Sequence, residues 1–149
     1  METEATAPAP LWTIALLALA PFPILSALYA YGAPAAADQA LSAVIAWSAL
    51  VLSFLGGVRW GLESSRPAPR WYRLTASVLS SIAAWLLLIM RDQLNVAWVI
   101  GGFIAAFILQ WLFDHAAPDV PARYPRLSTV LTAGACVSLA AALEHALRM

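Results

Sequence analysis

The sequence predicts an all-α integral membrane protein: a bundle of five transmembrane helices, N-terminus cytoplasmic and C-terminus outside. Three observations carry that prediction. Of 149 residues, 62% are hydrophobic and only 11% charged, where a soluble domain carries about a quarter charged residues. Mean hydropathy is +0.79. The charges gather between five long apolar runs, and the tryptophans and tyrosines cluster near the ends of those runs. So little polar surface cannot cover a water-facing globule of this length, which suits a single domain.

Residues 1–10 read as a flexible N-terminal tail, and residues 11–149 as one five-helix transmembrane domain. The tail holds two acids and no base. It therefore lacks the positive region of a secretory signal and the arginines of a transit peptide, and no cleaved signal is expected.

The spans follow from the need for ~20 apolar residues to cross hydrocarbon. They are expected at 11–31, 39–60, 71–90, 94–113 and 127–147. Strands are excluded because an open sheet edge cannot be satisfied in lipid and the runs are too long for barrel strands. In the first span, Pro21 and Pro23 remove backbone donors, so a bend or a re-entrant turn is expected there. Gly32 and Pro34 end that span, and Asp38 is placed to cap the second. Pro67 and Pro69 interrupt the next connection, and Asp92 is placed to cap the fourth span. Pro118, Pro121 and Pro125 hold the last connection out of helix, with Pro125 near a permitted first turn.

Trp12, Tyr29, Tyr31, Trp47, Trp60, Trp71, Tyr72, Trp98, Trp111 and Tyr124 fall near these span ends, as interfacial rings do. Trp85 lies deeper. Orientation follows from the arginines, since lysine is absent. Arg59, Arg66, Arg70, Arg73, Arg123 and Arg126 share the side of the N-terminus, against Arg91 and Arg148 on the other. The positive-inside rule then makes the first side cytoplasmic, or the matrix side of an organelle. High alanine content and arginine without lysine point to a bacterial source, hence a multi-pass protein of the bacterial inner (plasma) membrane.

The second span ends in the stretch "LSFLGGVRWGLE". In steps of four it carries Ala49, Ser53, Gly57, Gly61 and Ser65, a small-residue stripe. Membrane helices associate mainly through close packing, so the stripe predicts a tight helix contact, within this chain or with another protein. Arg59 and Glu63 lie four apart, roughly opposite the stripe, with Gly56 on their side. They predict an interfacial ion pair that anchors helix depth, or a buried cluster that holds an anionic headgroup or polar ligand. The fourth span adds Gly101 and Gly102 for packing, then Gln110 and Asp114 on one face. An amide inside a span needs a partner, so Gln110 is expected to hydrogen-bond a neighbouring helix. With Trp60, Arg73, His115 and Arg123, these residues make up the candidate polar or lipid-headgroup site. Ser77, Ser80 and Ser81 mark a packing face on the third span.

Little in the chain suggests catalysis. His115 and His145 fall on opposite membrane faces and cannot share a metal. Lone Cys136 reads as a small packing residue. Neither catalytic residues, a metal site nor a cofactor is predicted. Zero net charge gives no electrostatic case for nucleic acid. Glu63, Asp114 and His115 are the only acid–base candidates, and no ionisable group lies at the midplane to couple protons to transport.

The block Leu52-Ser-Phe-Leu-Gly-Gly-Val-Arg-Trp-Gly61 resembles the signature of the domain-of-unknown-function 3429 membrane family, the transmembrane protein 69-like group. Pro21-Phe-Pro, the serine-rich third span and the Arg123–Thr132 segment resemble it in part. The last departs from the family pattern around Arg123-Tyr124 and Arg126-Leu127. Many relatives carry histidine where this chain has Arg59, which argues against an obligatory imidazole chemistry at that position. The resemblance implies a small multi-helix protein of bacterial inner membranes or mitochondria and implies no activity. Together these readings predict a non-enzymatic accessory, assembly or scaffold protein that packs against a larger membrane complex or its own copies, amid membrane lipids. The alternative is a small transporter or lipid-binding protein with a cytoplasm-side cavity lined by Arg59, Glu63, Gln110 and Asp114.

Overall fold

A computed structural model describes residues 9–65, 67–115 and 123–148, and all its regular elements are helices. They are α1 (Ala9–Leu19), α2 (Pro21–Tyr31), α3 (Pro34–Ser64), α4 (Trp71–Ile89), α5 (Val96–His115) and α6 (Arg123–Arg148). Five segments among the described residues are long and apolar enough to cross a membrane: Trp12–Tyr31, Pro34–Gly61, Trp71–Ile89, Val96–Phe113 and Thr129–Arg148.

The first span is two helices end to end. Pro21 and Pro23 lack the N–H groups that Leu17 and Leu19 would bond, and the helix is interrupted at Ala20. Ala20 keeps helical angles (φ −55°, ψ −38°), and its N–H still reaches Leu16 O at 3.0 Å. The proline pair therefore breaks the helix without turning it back. Trp47 Nε1 donates to Ala18 O at 2.9 Å and ties the end of α1 to α3. This places Trp47 in mid-helix and half-buried, a correction to its expected place in the interfacial belt.

Two capping expectations also change. α3 begins at Pro34, not after Asp38, with extended Ala33 as its N-cap and no side-chain cap bond. Proline at the first turn gives up a donor that had no helical acceptor anyway. At α5 the cap is Asn95, whose Oδ1 accepts from Ala97 N–H at 2.9 Å. Asp92 lies in the preceding turn.

At 31 residues, α3 is ~46 Å long against a hydrocarbon core of ~30 Å. It packs on α2, α4 and α5, while α6 packs on α5, α2 and α1. The core between them is built from Phe22, Val44, Ile45, Leu52, Leu55, Val99, Ile100, Phe103, Phe107, Ala135 and Leu139, all buried. Phe22 meets Phe107 edge-to-face at 5.9 Å. Cys136 is half-buried, with Sγ 4.0 Å from Ile104 O, in the packing role its surroundings predict.

Candidate functional site

The inward face of α3 advances in steps of three and four through Val44, Ser48, Leu52, Leu55, Arg59 and Glu63, all buried, with buried Gly56 beside Leu55. The first turns of this face are apolar apart from Ser48, whose Oγ donates to Val44 O at 2.7 Å. The last turns carry a guanidinium and a carboxylate. One face of one helix thus runs from the core into a charged end.

Gly56 sets the spacing at that transition. A Cβ there would lie 2.5 Å from Ser77 O and 3.0 Å from Ser80 Cβ, so only glycine lets α3 approach α4 this closely. Ser80 Oγ hydrogen-bonds Gln110 Oε1, linking α4 to α5 and satisfying an amide that is only 4% exposed. Ser77 Oγ donates to Leu74 O at 2.7 Å.

One turn beyond Gly56, Arg59 is 2% exposed, with Cζ 5.2 Å from the centre of the Phe113 ring on α5. Such a position lets the ring face attract the cation. Glu63, one turn further and also 2% exposed, accepts from Arg70 N–H through Oε2 at 2.8 Å. Arg70 is the extended N-cap residue of α4, so the carboxylate fastens the α3–α4 connection to the bundle. Arg73 is buried at the first turn of α4. Its Nε donates to Tyr72 Oη at 3.3 Å, and Arg70 Nη1 donates to the same oxygen at 3.1 Å. Trp111 Nε1 donates to Thr129 Oγ1 at 2.8 Å, joining α5 to α6.

Arg59, Glu63, Arg73 and Gln110 are therefore all buried, on helices that touch one another. Trp60 points away at 46% exposure. The side chains of Asp114, His115 and Arg123 lie outside the described residues. Arg70, expected on the same membrane face, joins the cluster through its backbone N–H, and Phe113 and Tyr72 join it although nothing in their spacing marked them.

The packing residues divide in two. Ala49 and Gly56 are buried, and Gly102 meets Leu87 of α4, where a Cβ would approach Cδ2 to 2.7 Å. Ser53 is half-buried, whereas Gly57 and Gly61 are exposed; a Cβ on Gly57, Gly61 or Gly101 would meet none of the described residues within 4 Å. The seam inside the chain thus runs along the Gly56 face, and the stripe through Gly57 and Gly61 faces outward. A close contact missing from the sequence reading joins Gly134 of α6 to the Leu19 side chain.

Comparison with known proteins adds a family. The profile described as "Protein of unknown function (DUF3429)" matches residues 7–144. Transmembrane protein 69 of Xenopus tropicalis is 38% identical over 105 residues, covering 68% of this chain and 41% of the relative. The chain thus matches less than half the length of that relative. No solved structure matches.

Proposed function

The chain belongs to the family of unknown function DUF3429, and on that premise we propose that it is a non-enzymatic accessory, assembly or scaffold protein. In this reading the outward face of α3 docks a helix of a larger membrane complex. The observation that carries it is the pair Gly57 and Gly61, one turn apart and open to the surroundings. Leucine-like lipid tails give helices no hydrophobic reason to associate, so partners need surfaces that let backbones come close. Two glycines at four-residue spacing make such a surface, and none of the described residues fills it.

Gly57→Leu tests this reading. A Cβ at Gly57 meets none of the described residues within 4 Å, so insertion and folding should persist. Gently extracted protein should lose its stoichiometric partner, with co-purification falling about tenfold or more for ~1.4 kcal/mol of lost contact. Unchanged co-purification would remove the reading.

The distribution of arginines supports placing the Arg59 end in the cytoplasm, or in the matrix if the membrane is mitochondrial, as the match to a frog protein allows. A second reading, a transporter or lipid-binding protein using Arg59, Glu63, Gln110 and Asp114, is favoured by the burial of the first three side chains on touching helices. Polar groups buried in a membrane bundle often mark a pathway. The hydrogen bonds of Glu63 to Arg70 and Gln110 to Ser80 favour the structural role over it.

A further inference from the structure

The end of the bundle opposite Arg59 holds a second polar feature, built by α2 and the last turns of α6. Small side chains at Ala27 and Ala141 leave a groove of about 400 Å³ between these helices. Ser26 lines it, is 3% exposed, and its Oγ has no hydrogen-bond partner. A buried hydroxyl without a partner costs free energy, and although Oγ itself is closed to the surface, a turn about the Cα–Cβ bond of this groove-lining residue brings it to an acceptor carried by a ligand. At the rim, Glu144 and Arg148 form an ion pair at 2.6 Å with both side chains largely exposed. His145 stands beside them, its ring packed edge-on against Tyr29 at 4.8 Å.

The geometry points to a binding site for an amine-bearing zwitterionic phospholipid of the phosphatidylethanolamine type. Its three parts meet three chemistries in the right order of depth. The phosphate takes Arg148, whose guanidinium has more donors than one carboxylate uses. The primary ammonium takes the remaining lone pairs of Glu144. Ser26 lies five residues before Tyr31 at the rim, ~7.5 Å deeper along the helix, where an ester carbonyl sits beneath the phosphate and can accept from Oγ. The acyl chain then follows the alanine-lined floor. The Glu144–Arg148 pair is itself neutral, which suits a zwitterion better than a net anion. A quaternary choline cannot donate a hydrogen bond to Glu144, so the primary amine is preferred.

Native mass spectrometry of the full chain in detergent, with equimolar dioleoyl phosphatidylethanolamine, phosphatidylcholine and phosphatidylglycerol, tests the site. The ethanolamine lipid should be retained about fivefold over each of the others, the scale of one favourable partly exposed charge contact. Glu144→Gln should erase that preference, and Arg148→Gln should lower retention of all three lipids. Both positions are exposed, so neither change should disturb the fold. Ala27→Leu should block the groove and remove the retained lipid. Equal retention of the three lipids, preference for the glycerol headgroup, or a preference unaltered in these variants would overturn the proposal. Gly57→Leu should leave lipid retention unchanged, which keeps this test separate from that of the α3 docking face.

Discussion

Glu63 shows how a single side chain can be both a charge and a structural fastener. Its Oε2 accepts the Arg70 N–H at 2.8 Å while the residue as a whole is almost fully buried. Glu63→Ala removes that acceptor and should cost about 1 kcal/mol, the usual net worth of one intramolecular hydrogen bond, since Arg70 is exposed and its N–H can turn to water. Glu63→Gln keeps a carbonyl oxygen in place and should recover much of the loss. Denaturant unfolding of the two variants in detergent checks the order. Equal stability of alanine and glutamine variants would show that the oxygen does nothing for the connection. The i,i+4 spacing made the alignment of Arg59 with Glu63 readable in the sequence. The Arg70 amide was not, because its partner depends on how the Pro67–Pro69 connection folds back. Gln110 was legible in kind, since an amide inside a span needs an acceptor or donor; Ser80 as its partner required the packing of α4 on α5.

Among the helices, the two adjacent glycines of α3 have opposite fates. Periodicity separates them by ~100° around the helix, but it cannot say which direction holds a neighbour. The structure puts α4 on the Gly56 side and, among the described residues, leaves the Gly57 side open. Gly56→Ala should therefore force α3 and α4 apart, since its Cβ would meet backbone at Ser77 O; overpacking of this kind costs ~1–3 kcal/mol. Gly57→Ala, inside α3 with an open face, should not destabilise and should gain up to ~1 kcal/mol from helix propensity. Thermal or denaturant unfolding in detergent reads both, and equal losses would contradict the helix crossing. The same limit explains the other differences at this scale. Pro21 and Pro23 announced an interrupted first span, yet only the persistence of helical angles at Ala20 showed that the chain continues across. Pro34 starts α3 earlier than Asp38 because the chain already has the required φ, a local preference that competing cap residues obscured. The groove at Ser26 joins α2 to α6 across more than a hundred residues, beyond any periodic signal.

For the molecule as a whole, five spans put the α3–α4 and α4–α5 connections on opposite sides of the membrane, whichever way the bundle is inserted. Apolar run length and the scarcity of charge made those spans legible, because lipid enforces both on any helix that crosses it. Orientation rests on a different physics, the bias of arginines in short loops, and it can be tested separately. In a Cys136→Ser background, single cysteines at Ala68 and Gln93 report the two connections, both exposed. A membrane-impermeant maleimide added outside intact cells should label Gln93→Cys at once and Ala68→Cys only after permeabilisation. The reverse pattern would invert the bundle while keeping its five spans. That inversion would carry the Arg59–Glu63 end outward and the Glu144–Arg148 rim inward. Labelling of both sites from one side would break the span count itself, because α4 would then no longer cross.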